Sequence, residues 1–465
     1  MLKRYLGDKA FYKRVLAIAV PMMIQNGITN FVSLLDNIMV GQVGTAQMSG
    51  VSIVNQLLFV FNLTIFGLTT GAGIFTAQFH GSRDVEGIRY TFRYKFISSM
   101  VATLSCIAIL FFAQTPLITT FLQGEGTPEE AVEILSYAKE YLIITLWGLV
   151  PFALNSVYCS TLRECGQTVV PMVSGITAVF TNLILNYIFI FGKLGCPAMG
   201  VAGAALATTI SRFVEFGVVA IWTHTHKEKN PFIQSAYRSM RIPLALLGQL
   251  LIRCLPLLLN ELSWALAKTF MNQCYSTCSL EVMSAINIMS TLNNLSNVVS
   301  MSFGNTLGII LGQMLGAGCS KDEIWKEYKR LIFLVFSTSI VFGVLLAALS
   351  YAFPMLYNTT DSIRDIATSL ILIMALIKPV SAYVVAAYHT LRCGGNTLLT
   401  FAYDGLPMFL LGVPLAFLLS RFTNMSILPL YFICQMPDVV KMIVGMLMIR
   451  SRRWMNRLTQ TPAKT

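Results

Sequence analysis

A long stretch near the start of the chain carries a single formal charge. Between Arg14 and Arg83 that charge is Asp36, and the other 67 residues are apolar or neutral polar. A helix of about 20 predominantly apolar residues is long enough to cross a bilayer. The stretch therefore predicts membrane-spanning helices, with Asp36 inside the first of them.

The position of Asp36 points to a function for its carboxylate. A carboxylate near the centre of a membrane helix costs roughly 2.5–3.5 kcal/mol on insertion scales. A chain bears that cost when the acid binds a cation or moves a proton. The alternative is that Asp36 only pairs with a neighbouring helix.

The composition agrees with a membrane protein along the whole length. Mean hydropathy is +0.68 and only 12% of the residues are charged, whereas soluble domains carry about 25% charged residues. We predict an all-α integral membrane fold with twelve transmembrane helices. The apolar segments are 15–40, 51–79, 96–122, 141–162, 170–191, 200–223, 244–272, 284–312, 331–356, 367–391, 398–419 and 428–449.

The basic residues are distributed unevenly between the loops. The even-to-odd connections and the termini hold 24 Lys and Arg residues, the opposite set of loops holds four, and five lie within segments. Cytoplasmic loops are enriched in these residues, so we expect both termini in the cytoplasm and the protein in the cell membrane. The net charge of +12 thus reflects topology, and no nucleic-acid-binding signature is present.

The second half of the sequence repeats the first. Pro21 matches Pro256, and Gln78-x-x-Gly81 matches Gln313-x-x-Gly316, both at an offset of 235. Leu162-Arg163-x-x-Gly166-x-Thr168 matches Leu391-Arg392-x-x-Gly395-x-Thr397, and Arg212 matches Lys441, both at 229. Because each half has an even number of segments, the repeat is parallel. It predicts a six-helix lobe at 1–223, a linker at 224–243, a second lobe at 244–449, a cytoplasmic tail at 450–465 and a central cavity between the lobes.

Small residues recur every four positions in two matching segments. One ladder is Gly304, Gly308, Gly312 and Gly316, and the other is Thr69, Gly73, Ala77 and Gly81. Such ladders let membrane helices approach closely, so we interpret them as packing surfaces.

Polar side chains in the first half could complete a site around Asp36. Asn182 and Asn186 are four residues apart in the fifth segment and share a helix face, and Asn155 lies in the fourth segment. Amide and hydroxyl oxygens beside a carboxylate suit a hard cation. Hydrogen bonding between helices explains the same pattern equally well.

The second half has its own deep charges. Glu261 lies near the middle of the seventh segment, Lys268 is seven residues further on, and Lys378 precedes Pro379 in the tenth segment. Buried charges are usually paired, so a Glu–Lys pair is one interpretation. The other is a mobile proton or substrate site.

The sequence lacks the motifs of the main enzyme classes. It has no Walker A motif, no dinucleotide fingerprint and no nucleophile constellation. We therefore predict that the protein is not an enzyme and has no cofactor or metal site, apart from a possible bound Na⁺. A channel or a membrane enzyme would be a third class, but no motif supports it.

The residues resemble the MATE family of multidrug and toxic compound extrusion antiporters over nearly the whole chain. The resemblance rests on the order, spacing and duplication of the motifs. They are Pro21, Asp36-x-x-x-x-Gly41 with Gly44, Gln78-x-x-Gly81, both copies of L-R-x-x-G-x-T, Asn182 through Gly192, and Gly200-x-x-Gly203-Ala204-Ala205-x-Ala207-Thr208. It implies two six-helix lobes around a V-shaped cavity and proton- or sodium-driven export of mostly cationic amphiphiles. We expect the protein to work as a monomer.

The resemblance also suggests which residues act. The family's first-helix acid falls on Asp36 and its fifth-helix asparagine on Asn182, while an aspartate of DinF-like members is replaced by Asn186. With Asn155 and Thr208 these residues are the predicted coupling site. The seventh-helix glutamate of NorM-like members falls on Glu261, which with Lys268 and Lys378 is the predicted substrate or second proton site. The tenth-helix aspartate of those members has no counterpart at depth. A flippase for lipid-linked oligosaccharides is the alternative function.

Overall fold

The computed structural model describes residues 5–122, 127–277, 279–423 and 425–459, except for the side chains of residues 32–34, 36–38, 128 and 280. In these ranges the regular structure is helical. The helices are α1 (Lys9–Gly41), α2 (Thr45–Gly81), α3 (Val85–Phe112), α4 (Gln114–Leu122), α5 (Pro128–Glu164), α6 (Val169–Phe191), α7 (Gly200–Thr225), α8 (Leu244–Ser276), α9 (Leu280–Gly316), α10 (Lys321–Ala352), α11 (Asp361–Cys393), α12 (Thr397–Phe422) and α13 (Ile427–Arg450).

The described helices confirm the predicted all-α membrane fold. Eleven of them are long and apolar enough to span a bilayer, and α1, with 33 residues, corresponds to the first predicted segment. Several helices extend well beyond the apolar segments: α2 has 37 residues, which at 1.5 Å per residue is about 55 Å. Such helices are longer than the hydrocarbon core of a bilayer, about 30 Å.

The third predicted segment is two helices rather than one. α3 ends at Phe112 and α4 begins at Gln114. Pro116 lies in the first turn of α4, where a missing amide hydrogen is tolerated. The side chain of Gln114 donates a hydrogen bond to the carbonyl oxygen of Phe111 at 3.1 Å. The break follows from proline chemistry, which hydropathy does not register.

Two helices begin at capping boxes that the sequence encodes locally. At α5 the Thr127 hydroxyl accepts the Glu130 amide at 3.3 Å, and the Glu130 carboxylate accepts the Thr127 amide at 2.9 Å. Ser320 and Glu323 make the same reciprocal pair at α10. Each box satisfies amide donors that have no partner inside the helix.

The linker between α7 and α8 is held against the protein by backbone contacts. The Arg93 guanidinium on α3 donates to the carbonyl oxygens of Ala236 at 2.8 Å, Ser235 at 3.0 Å and Arg241 at 3.1 Å. Phe232 in the linker is buried. Burial also raises the pKa of the Tyr237 hydroxyl above its ordinary value. These contacts fix the linker's course although it contains no long helix.

The chain divides into two compact units. The C-terminal unit comprises Met1–Met23, Ala77–Asp84 and Leu251–Thr465, and the N-terminal unit comprises Ile24–Thr76 and Val85–Leu250. In the N-terminal unit α7 packs against α5 and α6, and in the C-terminal unit α11 packs against α9 and α10. The lobe boundaries predicted at residues 223 and 244 stay a prediction.

The duplicated Gln-x-x-Gly motif forms a reciprocal backbone contact inside the C-terminal unit. A Cβ atom on Gly81 would lie 1.9 Å from the carbonyl oxygen of Gln313, and one on Gly316 would lie 1.8 Å from that of Gln78. The Gln78 side chain is buried and donates to the carbonyl oxygen of Cys393 at 3.0 Å. The glycines therefore allow the ends of α2 and α9 to meet backbone to backbone, which small residues favour between membrane helices.

We expect Gly316→Ala to lower the stability of the protein. The new methyl group would overlap the backbone of Gln78, and overpacking of this kind typically costs about 1–3 kcal/mol. Thermal unfolding of the detergent-solubilised protein measures the effect. Gly217→Ala on α7 is the control, since a Cβ there meets nothing within 4 Å. Equal melting temperatures for the two variants would contradict the contact.

Candidate functional site

The N-terminal unit contains a partly open cavity of about 320 Å³ that is lined by both apolar and polar residues. Five helices, α1, α2, α5, α6 and α7, contribute to its wall. The lining residues are Val40, Val51, Asn55, Leu58, Phe59, Asn62, Tyr141, Thr145, Gly148, Leu149, Phe152, Asn186, Ala204, Thr208, Thr209 and Arg212. A concave site in which polar groups converge among apolar side chains is a usual form of ligand site.

Three of the predicted coupling residues meet at this cavity. The Asn182 amide donates to the Thr208 hydroxyl at 3.2 Å, and the Asn186 amide donates to the Asn182 carbonyl oxygen at 3.1 Å. Asn182 and Asn186 are both buried. The polar atoms of α6 and α7 thus form one connected group beside the cavity.

The glycine- and alanine-rich start of α7 makes this meeting possible. A Cβ atom on Gly203 would lie 2.7 Å from the carbonyl oxygen of Phe189 on α6. Ala204, Ala205 and Ala207 continue the small surface, and all three are buried. Because α6 and α7 approach so closely, the short Asn182 and Thr208 side chains reach each other.

The two other predicted coupling residues are Asn155 and Asp36. Asn155 is buried on α5, where its carbonyl oxygen accepts the Cys159 thiol at 3.3 Å, and it is not among the described residues that line the cavity. Asp36 lies within the range of α1, but its side chain falls outside the described residues.

Sequence reasoning did not single out Asn55, Asn62 or Arg212 as part of this site. The two asparagines are seven residues apart on α2, which places them on one helix face; that spacing inside an apolar segment was the available signal. The Arg212 guanidinium pairs with Glu215 at 3.2 Å and lies over the Phe152 ring at 4.9 Å. The pair adds a partly neutralised positive charge to the wall.

In the C-terminal unit Glu261 begins a connected line of polar groups. The Tyr388 hydroxyl donates to the Glu261 carboxylate at 3.2 Å, and the Arg392 guanidinium lies 5.7 Å from the Tyr388 ring centre. Asn260, adjacent to Glu261, donates to the Asp404 carboxylate at 3.2 Å. Glu261 is therefore linked through neighbouring residues to a second acid, on α12.

The line continues into a cluster of charges that the sequence analysis missed. Lys441 on α13 lies 2.9 Å from Asp404 and 3.8 Å from Asp438. The Ser381 hydroxyl on α11 donates to Asp438 at 3.1 Å. Asp404 and Asp438 are isolated acids inside apolar segments, so the same signal that identified Asp36 was present for both.

The two predicted lysines do not pair with Glu261 here. Lys378 is buried and donates to the Asn297 carbonyl oxygen at 2.8 Å. Among the ion pairs of the described residues, neither Lys378 nor Lys268 lies within 4 Å of the Glu261 carboxylate. The predicted Glu–Lys pair is thus not formed, since a tyrosine and an amide occupy the positions expected for the opposite charges.

Comparison with known proteins assigns the chain to a family. The MatE family model matches residues 21–188 and 256–418, so the two matched blocks fall in the two halves of the repeat. The chain is 24% identical over 458 residues to a probable multidrug resistance protein NorM of Thermotoga maritima, covering 97% of this chain and 94% of that protein. It is 26% identical over 468 residues to a probable multidrug resistance protein NorM of Bacillus licheniformis, covering 98% of each.

The fold is also shared with a solved structure. An outward-facing multidrug resistance MATE family transporter of the MOP superfamily superposes with a TM-score of 0.83 at 20% identity, covering 97% of both chains. This similarity concerns the fold alone. The family match over most of the chain carries the assignment: the chain belongs to the MatE family of multi-pass membrane transporters.

Proposed function

We propose that this protein is a cation-coupled efflux antiporter that exports cationic amphiphilic compounds from the cytoplasm by alternating access. Membership of the MatE family is the observation that carries the proposal. The relatives named above are probable multidrug resistance proteins, which favours drug export over the lipid flippase alternative. The loop charges favour a cell-membrane location with both termini in the cytoplasm.

In this proposal the coupling cation binds beside the cavity of the N-terminal unit. Val40, one helical turn after Asp36 on α1, lines the cavity together with Asn186 and Thr208. Asp36 supplies the charge, and the neutral oxygens of Asn182, Asn186 and Thr208 are its polar surroundings. Asn155 is buried on α5, and its proposed role is indirect: it helps to hold α5, which forms part of the cavity wall.

A proton is the favoured coupling ion. Hard cations prefer several oxygen ligands, usually including carboxylates. Asn186 is neutral, and the Asn182 carbonyl oxygen already accepts a hydrogen bond from Asn186. One carboxylate among neutral groups suits a proton better than Na⁺, which would bind weakly here.

Glu261 is proposed to hold the positive group of the substrate or to take a second proton. It is half-buried and accepts the Tyr388 hydroxyl. Arg392 already acts on its charge, so a substrate cation would compete with that guanidinium. In this proposal Lys268 and Lys378 contribute positive charge to the site, which affects how a cationic substrate binds there.

Transport by the purified protein tests the proposal. In proteoliposomes loaded with a fluorescent organic cation, an imposed proton gradient should drive efflux, and an equal sodium gradient at constant pH should drive little. Vesicles without protein are the control. Efflux driven by sodium alone would reverse the ion assignment, and no gradient-driven efflux of any organic cation would refute the function.

We expect Glu261→Gln to lower transport or narrow the range of substrates while leaving the amount of folded protein near normal. The substitution removes the charge and keeps the acceptor for Tyr388. Adding Lys378→Met to Glu261→Gln tests the alternative of an ion pair: the Lys378 side chain contacts Asn297, so its removal should leave the folded yield of Glu261→Gln unchanged. Normal efflux of every cation by Glu261→Gln would exclude the proposed role.

A further inference from the structure

We propose that Arg163, the arginine of the first L-R-x-x-G-x-T motif, is a positioning residue of the coupling site: it holds Gln25 and thereby fixes the orientation of the part of α1 that carries Asp36. The inference rests on the proposed cation-coupled export. Arg163 is not among the described residues that line the cavity of the N-terminal unit, so it acts on the site through α1.

The contact between Arg163 and Gln25 joins α5 to α1. The Arg163 guanidinium donates a hydrogen bond from Nη2 to the Gln25 carbonyl oxygen at 2.7 Å, and a hydrogen bond from a charged donor is stronger than one between neutral groups. Gln25 is buried. On its other side lies α6, where a Cβ atom on Gly175 would be 2.9 Å from the Gln25 side-chain nitrogen. Gln25 is therefore held between α5 and α6.

The position of Gln25 on α1 gives this contact its importance. Pro21 lies inside α1, four residues before Gln25. A proline within a helix removes one backbone hydrogen bond and kinks the helix or weakens it there. The N-terminal unit includes α1 from Ile24 onward, so Gln25 is at the start of that part of the helix. Side-chain contacts just after the proline thus help to set the direction and rotation of the rest of α1.

The helical register connects Gln25 to Asp36. The two positions are eleven residues apart in one continuous helix, which is about three turns at 3.6 residues per turn. They therefore lie on the same face of α1. A contact that fixes the rotation of the helix at Gln25 also fixes the face on which Asp36 lies.

The surroundings of Arg163 favour a role beyond packing. Its sequence neighbour Glu164 pairs with Lys95, and Glu215, a further acid of this unit, pairs with Arg212 at 3.2 Å. The Arg163 Nε atom is buried and has no hydrogen-bond partner among the described residues. A buried donor without a partner costs free energy, and an apolar side chain could fill the same space without that cost.

The internal repeat places a second arginine in the corresponding position. The offsets of 235 and 229 relate Gln25 to Asn260 and Arg163 to Arg392. Asn260 also lies four residues after a proline inside its helix, α8, and Arg392 acts on the charge of the adjacent Glu261. In each unit the motif arginine thus acts on the first helix of that unit shortly after its proline.

Hydrogen exchange of the lipid-reconstituted protein tests the contact without transport. In Arg163→Met and in Gln25→Leu, the amides of residues 24–41 should exchange at least about tenfold faster than in the wild type, the effect of losing one hydrogen bond to a charged group. Exchange in the C-terminal unit should be unchanged. Arg238→Met, which removes an exposed arginine of the linker, is the control and should match the wild type throughout.

The double variant makes this test specific. Arg163→Met and Gln25→Leu remove the same bond, so together they should speed exchange in α1 no more than either does alone. Wild-type exchange in α1 would overturn the proposal. Faster exchange throughout the protein would also overturn it, because Arg163 would then support overall stability rather than the position of α1.

A transport measurement separates this proposal from the proposed function. Proton-driven efflux of ethidium, a fluorescent organic cation, should fall at least about tenfold in Arg163→Met, which loses a hydrogen bond to a charged group, whereas ethidium binding should persist because Glu261 is unchanged. Arg163→Lys keeps a charged donor and should recover part of the efflux. If the wild type exports no organic cation but exchange in α1 depends on Arg163, the function fails and the positioning of α1 stands. Full efflux by Arg163→Met refutes the positioning role and leaves the function intact.

Discussion

Replacing Asp36 by Asn is expected to reduce proton-driven efflux to the level of vesicles that lack the protein. Asparagine keeps the shape of the side chain and removes its charge, so the coupling proton has no acceptor in the N-terminal unit. Insertion should not suffer, because a neutral amide costs less than a carboxylate inside a membrane helix. The measurement is efflux of a fluorescent cation from proteoliposomes that contain equal amounts of wild-type and variant protein.

The matched control for Asp36→Asn is Asp365→Asn, the same change at an exposed position on α11. The control should transport at the wild-type rate. Binding of a labelled substrate to Asp36→Asn should persist, since the charge that the proposal assigns to substrate is Glu261. Full efflux by Asp36→Asn would sink the coupling role, and a large loss of folded protein would instead favour the alternative that Asp36 pairs with a neighbouring helix.

Lys441→Met is expected to lower the stability of the folded protein strongly. It removes a base from between two acids whose side chains are 16% and 24% exposed. Removing one partner of a buried ion pair costs about 3–5 kcal/mol, because the remaining charge is left without compensation. Detergent-extracted yield and thermal unfolding of the purified protein measure the loss.

Two further variants make the ion-pair prediction specific. Adding Asp404→Asn to Lys441→Met should restore part of the stability, since the orphaned charge is removed. Arg364→Met breaks the Arg364–Asp361 pair, in which the Asp361 side chain is 93% exposed, and should cost no more than about 1 kcal/mol. If Lys441→Met unfolds at the same temperature as Arg364→Met, the pair is not structurally important.

The helices and the repeat could be predicted from the sequence because both depend on local or periodic signals. Apolar segments of sufficient length predict spanning helices. Eleven of the described helices are long and apolar enough to cross a bilayer, and α1 covers the first predicted segment. The prediction of a single third helix was wrong because local chemistry overrides hydropathy there: the helix breaks between Phe112 and Gln114. The small-residue ladders predicted close packing, and Gly81 and Gly316 do contact the opposite backbone.

The candidate sites were only partly predictable. Asn182, Asn186 and Thr208 could be named from spacing and family resemblance, and the structure brings them together. Asn155 could be named in the same way, but the sequence could not show that it is absent from the described lining of the cavity. In the C-terminal half the sequence shows Glu261 and Lys378 as two deep charges and suggests a pair, whereas the structure gives them Tyr388 and Asn297 as partners.

The sequence by itself determined the membrane-spanning helices, the duplication and the identity of the isolated charges, because composition, periodicity and offsets are properties of the chain. Only the tertiary structure decided which charges share a partner. Lys441 and Asp404 are 37 residues apart in sequence yet lie 2.9 Å apart, and the rotation and depth of α12 and α13 produce that contact. Those two quantities depend on how the helices pack, and packing between elements is not encoded in either segment alone.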